Sequence, residues 1–355
     1  MKIQKTTIAE LLKKMKGIVP PKTLDGMQGI LIKDNQMIAT NLNLTVTAMI
    51  EETADEPFII PQTAVSYIES LPFGWVEIIP KKKYITIKGE NTSAKFTALD
   101  AENFPDTNPT GDSTGSETVI PGKKLKEALA GLWYAADANA QKVNARGILL
   151  EGDGNYLNLV ASDGFRASWT VIEHDAKFKV FVPKDSLKTA LSFVEDDDDI
   201  TITPYKNAVC VASDRFSIQL KLLEGGAIPY KSVFDFNKQK LAIKINRKDF
   251  VSCLSRCAAC MVSKVSTPAV MTMLDGALEI SQQNSSAEFS ETVPILSDQT
   301  GDIRMGFNAA FMLEALKNCE DEQITLYYCG NVTPMLIAQS KNPLLHLIVP
   351  MRLAK

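Results

Sequence analysis

Cys253, Cys257 and Cys260 stand at i, i+4 and i+7, the spacing that puts three side chains on one face of a helix. As thiolates they could hold zinc or an iron–sulfur centre, with Cys319 or Cys329 completing four ligands. Phe250, Leu254 and Met261 continue the same apolar stripe, and free cysteine is among the most buried residue types, so core packing is the favoured reading. The run Glu195-Asp196-Asp197-Asp198-Asp199 could coordinate a hard cation. It lies between a predicted helix and a predicted strand, where a solvated turn is the plainer reading. The two histidines, His174 and His346, are far apart in the chain. No phosphate-binding glycine loop, nucleophile elbow or His-Glu-x-x-His helix is present. A metal-bearing hydrolase using the acidic run or the cysteine face is therefore the alternative, not the leading reading.

The basic residues carry more information. Lys13, Lys14, Lys16, Lys22, Lys123, Lys124, Lys126, Lys184, Lys188, Arg247, Lys248 and Arg256 gather on or beside predicted helices. Those helices sum to a positive charge, while the rest of the chain is negative and the whole carries −4. Helices positive and strands negative is the partition expected if helices face phosphate.

These side chains need elements to carry them, and the elements recur. A helix near Thr6–Lys16 is followed by strand pairs, the stretch Phe58-Ile59-Ile60-Pro61, a second helix to about Ser70, and more strand pairs. After a polar linker at 106–116 the order restarts with a helix from Gly122 to about Tyr134. Three strands then follow across 145–171, turning at Asp153-Gly154 and at Ser162-Asp163-Gly164. Phe181-Val182-Pro183 repeats the entry into a second helix. The third unit runs a helix from Arg247 to about Met261, a turn at Asp275-Gly276, and Met305-Gly306-Phe307-Asn308 with Asn308 as a helix N-cap. The landmarks Pro61, Pro183 and Asn308 lie about 120 residues apart, one whole domain rather than a solenoid repeat. The expectation is an α+β chain of three tandem copies, 1–116, 117–240 and 241–355, each with two helices on antiparallel sheets.

The chain has 355 residues, 45% of them hydrophobic, with no apolar run long enough to span a membrane and no signal-peptide pattern at Met1–Lys5. The six cysteines do not form a disulfide framework, which points to a reducing, cytoplasmic setting.

Four separated motifs, in order, resemble one family. Ser162-Asp163-Gly164-Phe165-Arg166 is similar to its Thr-Asp-Gly-His-Arg, and Ile228-Pro229-Tyr230-Lys231-Ser232-Val233 to its Phe-Pro-Asp-Tyr-x-x-Val. Gly306-Phe307-Asn308 and the ending Val349-Pro350-Met351-Arg352-Leu353 complete the set. The family is the bacterial DNA polymerase III beta subunit, the DNA sliding clamp, and the likeness covers the whole chain. It implies the DNA-clamp, or processivity, fold: a head-to-tail homodimer closing a ring, helices lining the hole and sheets making the rim. Double-stranded DNA would thread through without its sequence being read. The ring would catalyse nothing, need no cofactor, and tether the polymerase III catalytic subunit at the primer end. An ATP-driven clamp loader would open it.

The resemblance also implies a cleft for short linear motifs of partner proteins. Its positions here are Ala145, Ser162, Gly164, Phe165, Arg166, Ala167, Pro229, Val233, Leu347, Val349, Pro350, Met351, Arg352 and Leu353. Phe104 matches a residue at the ring closure. The chain departs from the family in having alanines at 145 and 167, phenylalanine for histidine at 165, one residue fewer between Pro229 and Tyr230, and the extension Ala354-Lys355, which would crowd the cleft. Its loop from Gly17 to Gly29 is shorter and keeps Lys16 and Lys22 but no arginine. A clamp paralogue that binds partners without encircling DNA is a further alternative.

Overall fold

The structure, a computed structural model, describes residues 1–20, 27–107, 112–225, 228–261, 267–298 and 301–353. The first stretch of chain forms β1 (Lys2–Gln4), α1 (Lys5–Lys16), β2 (Gly29–Thr40), β3 (Leu44–Pro61), α2 (Gln62–Ser70), β4 (Trp75–Pro80), β5 (Tyr84–Lys88) and β6 (Ser93–Thr97). The order then restarts with β7 (Thr118–Pro121), α3 (Gly122–Ala130), β8 (Gly147–Gly152), β9 (Tyr156–Ser162), β10 (Arg166–Glu173), β11 (Lys179–Pro183), α4 (Lys184–Leu191), β12 (Asp199–Pro204), β13 (Ala208–Ser213) and β14 (Phe216–Lys221). A single turn of helix, α5 (Tyr230–Val233), leads to β15 (Leu241–Asn246), α6 (Arg247–Ala259), β16 (Ala269–Leu274), β17 (Ala277–Gln283), β18 (Glu288–Pro294), β19 (Arg304–Phe307), α7 (Ala309–Lys317), β20 (Gln323–Tyr328), β21 (Met335–Gln339) and β22 (Leu345–Ile348).

The chain divides into two compact units. One comprises Met1–Lys123 with Asp185–Leu222, and the other Lys124–Lys184 with Leu223–Lys355. The first holds a four-stranded sheet, β1-β4-β5-β6, and a six-stranded sheet, β2-β3-β14-β13-β12-β7. In it α1 buries Ile8, Leu12 and Met15 beside Ala64, Val65 and Ile68 of α2. The second holds an eight-stranded sheet, β11-β8-β9-β10-β22-β21-β20-β15, and a four-stranded sheet, β18-β17-β16-β19. Here α6 packs on α7 over a core that includes Phe250, Met271, Ile280, Phe307 and Met312.

Both large sheets cross the borders between the sequence repeats. β14 pairs with β3 from Phe216↔Ala48 to Leu220↔Leu44. β22 pairs with β10 from Arg166↔Ile348 to Trp169↔Leu345. Both pairings are antiparallel, as are all the strand pairings among the described residues. This lateral joining is why the compact units cut through the repeats.

Three local expectations shift. β3 runs unbroken through the acidic, proline-bearing stretch before Phe58, where only the last four residues read as strand. α3 stops at Ala130, and Trp133–Ala135 forms a separate 3-10 turn. The hairpin loop expected at Asp153-Gly154 falls one residue later, on Gly154-Asn155, because the Asp153 carboxylate accepts from the N–H groups of Asn155 and Tyr156 and so sits at the turn's first position. The Asp163-Gly164 turn is built the same way, with φ of 100° at Gly154 and 90° at Gly164.

Candidate functional site

Most of the predicted partner-cleft residues meet within the second unit, at a cavity of about 210 Å³ between the β9–β10 turn, the α5 segment and the end of β22. Ser162, Gly164, Arg166, Ala167, Pro229, Val233, Leu347 and Val349 all line it. The turn is held by its own side chains. Ser162 Oγ donates to the Arg166 carbonyl and accepts from the Gly164 N–H, while the Asp163 carboxylate accepts from Phe165 and Arg166 N–H. α5 is held by aromatic edges, Tyr230 and Phe234 standing 5.1 and 5.6 Å from the Trp169 ring.

Arg166 forms the cavity's fixed polar wall. Its Nε donates to Asp163 at 2.9 Å, its Nη1 pairs with Glu314, and the guanidinium lies 4.3 Å over the Phe311 ring and 5.0 Å over Tyr134. Two carboxylates therefore neutralise it, and two rings fix its plane. The chain end is fastened on both sides: Val349 N–H donates to the Phe165 carbonyl at 2.9 Å, and Met351 N–H to the Gly306 carbonyl at 2.7 Å. A Cβ at Gly306 would lie 2.6 Å from the Met351 carbonyl oxygen, so this crossing needs glycine.

The other cleft candidates lie elsewhere. Ala145 is 3% exposed and Asn144 lines the cavity in its stead, because the 3-10 turn Val143–Ala145 turns the alanine inward. Phe165 is 62% exposed and stands outside the cavity, its ring 6.4 Å from Phe311. Pro350, Met351, Arg352 and Leu353 line a neighbouring cavity of about 500 Å³, with Val349 common to both. Ala354 and Lys355 lie outside the described residues. Sequence reasoning missed Asn144, Ile228, Tyr230, Phe234 and Pro334 as lining residues; Ile228 and Tyr230 already stood in a quoted motif.

Beneath Arg166 lies a buried polar cluster. Tyr134 Oη stands 2.7 Å from His346 Nδ1, and Ser168 Oγ is within 2.9 Å of both. Ser168 and His346 are fully buried, so this serine–histidine pair offers no nucleophile to a substrate. Burial alone pushes the imidazole down to about 3, and burial outweighs the Ser168 hydrogen bond and the Arg166 charge to push the Tyr134 phenol far up. His346 Nε2 has no hydrogen-bond partner among the described residues.

The basic candidates divide by what already holds them. Lys14 lies between Glu10 and Glu195, and Lys16 bonds Ser66 and Glu69. Lys184 donates to the Ala136 carbonyl at 2.8 Å, and Arg247 to the Asp321 and Glu320 carbonyls. Arg256 forks onto Glu291, which holds that carboxyl below its ordinary range. Lys13, Lys123, Lys124, Lys188 and Lys248 are exposed, and Lys126 is half-buried. Lys22 lies outside the described residues.

The competing metal readings meet other geometry. Cys253 and Cys257 are buried in the apolar core, where burial pushes their thiols up to about 12 and about 11. Asp198 is forked by Arg215 and caps the Glu195 N–H, so the acidic run is a stapled turn. Among the described residues no group of three or more His, Cys, Asp or Glu could hold a metal ion. Phe104, in the first unit, is half-buried and packs against Leu31, Ile38 and Ile59. No helix among the described residues is long and apolar enough to cross a membrane.

Comparison with known proteins agrees with this architecture. The family model described as DNA polymerase III beta subunit, central domain, matches residues 119–229, and that for the C-terminal domain matches 231–352. A curated Beta sliding clamp of Pseudomonas aeruginosa is 24% identical over 369 residues, covering 99% of each chain. That of Bacillus subtilis is 25% identical over 298 residues, 80% of this chain and 77% of its own. Among solved structures, a DNA polymerase sliding clamp from Pseudomonas aeruginosa with ligand superposes at TM-score 0.92 with 20% identity, and one from Bacillus subtilis at 0.90 with 19%, each covering 99% of both chains.

Proposed function

The chain belongs to the DNA polymerase III beta subunit family and its function is that of a DNA sliding clamp; we propose that it works as a head-to-tail homodimer closed around duplex DNA. One observation carries the proposal. At each internal junction the last strand of one sequence repeat joins an outer strand of the preceding repeat: β14 joins β3, and β22 joins β10. By the same rule β6, last strand of the first repeat, and β18, the counterpart of β10 in the third, are the pair left to form the remaining junction, and each is an edge strand of its sheet. Pairing β6 of one copy with β18 of another continues the sheet across a third and equivalent junction. Chemistry supports the match. β6 presents exposed Lys95 and half-buried Phe96; β18 presents exposed Glu288 and half-buried Phe289. Phe104, close after β6, belongs to the same closure.

The three modules of one chain, 1–116, 117–240 and 241–355, then together contribute half of the ring. The exposed lysines Lys13, Lys123, Lys124, Lys188 and Lys248 are the residues offered to phosphate, with no reading of base sequence. The cavity beside Arg166 receives short apolar motifs from the polymerase, the clamp loader and other partners, in keeping with its apolar floor and single fixed guanidinium. The protein catalyses no reaction, needs no cofactor and works in the cytoplasm.

Sedimentation equilibrium tests the closure. The wild-type chain is expected at twice its monomer mass, and Ser290→Pro, which bars a backbone donor on the β18 edge, at the monomer mass with its circular dichroism unchanged. A wild-type monomer, or a Ser290→Pro dimer as tight as wild type, contradicts it.

A further inference from the structure

The larger cavity next to the cleft has a different charge from the cleft itself. Arg166 in the cleft is already matched by Asp163 and Glu314. Across Val349, the cavity of about 500 Å³ is lined by Arg304 and Arg352, with Asn331 as a further donor, and no carboxylate lines it. Both arginines are exposed, and among the described residues neither makes an ion pair or a side-chain hydrogen bond. Val332, 81% exposed, adds an apolar contact at the same rim. The backbone here is rigid: β19 carries Arg304 paired opposite Thr272 of β16, and the Met351–Gly306 bridge fixes the segment carrying Arg352.

We propose that this cavity is an acid-reading subsite continuous with the cleft: partner motifs that dock their apolar anchors beside Arg166 place an aspartate or glutamate side chain against Arg304 and Arg352. The inference rests on the cleft reading above and adds a selectivity to it. An unpaired guanidinium presents a planar fork of donors suited to a carboxylate. Two of them on a rigid wall cost a ligand carboxylate little ordering beyond what the anchors have already imposed. Arg166 cannot serve, since its fork is occupied.

The test uses the full-length chain and fluorescein-labelled six-residue peptides with leucine and phenylalanine anchors. They differ only in aspartate, asparagine or lysine at positions flanking the anchors. At low salt the best aspartate peptide is expected to bind about fivefold more tightly than its asparagine twin, the scale of a partly exposed charge pair. That advantage should vanish near ~1 M salt, where the Debye length shrinks to about 3 Å. It should also vanish in Arg304→Gln/Arg352→Gln protein, whose affinity for the asparagine peptide stays as in wild type. Arg304→Glu should shift the preference toward the lysine peptide. Equal binding of aspartate and asparagine peptides by wild type, or an advantage that survives the double substitution, overturns the subsite and leaves the cleft standing. Failure of every peptide to bind overturns the cleft reading and the subsite with it.

Discussion

At the scale of single residues, what the molecule does depends on which charges are spent and which are free. Arg166, Arg247 and Arg256 look alike in a sequence, yet each is committed to carboxylates or carbonyls, whereas among the described residues Arg304 and Arg352 are not. No periodicity separates the two groups, because their partners come from distant parts of the chain. The same limit hides the Tyr134–Ser168–His346 cluster: the sequence alternates Ala167, Trp169 and Val171 with Arg166, Ser168 and Thr170, a pattern of one apolar and one polar face, but β22 and the Trp133–Ala135 turn bury the polar side. His346 gives a measurable consequence. Its folded value of about 3 lies below the ordinary 6.5, so the unfolded chain takes up a proton first as pH falls. The stability tied to this group is fully present above pH 6.5 and is lost between there and about 3, amounting to about 2 kcal/mol by pH 5. Urea unfolding at pH 7.5 and at pH 5 should show the wild type losing that much more than His346→Gln. Equal losses would contradict it.

At the scale of elements, most of the fold was legible. Helix starts, strand pairs and the Asp275-Gly276 turn follow from apolar period and turn chemistry, and Asn308 does cap α7, accepting from Ala310 and Phe311 N–H. The cap matters to the cleft, since α7 carries both Phe311 and Glu314 against Arg166. Asn308→Ala should cost about 1 kcal/mol in urea unfolding. It should also weaken peptide binding at the cleft by loosening Arg166; unchanged peptide affinity would show that α7 does not position the arginine. The cleft positions that sequence supplied came from resemblance to a family. Ala145 and Phe165 fell outside the cavity because a 3-10 turn and an exposed loop tip, not residue type, decide where those side chains go.

At the scale of the whole molecule, the repeat of about 120 residues was visible in three landmarks, but the joining of repeats was not. Sheet continuity is a pairing between strands far apart in sequence, and either partner reads as an ordinary half-buried strand. Ring closure through a third, equivalent junction rests on that joining. It is tested most directly by loading the protein onto nicked circular DNA with the host's ATP-driven loader and filtering at high salt, where phosphate contacts are screened. A closed ring predicts that protein stays with the circle and is lost once the circle is cut. Equal retention on circular and linear DNA, or none on either after loading, would contradict it.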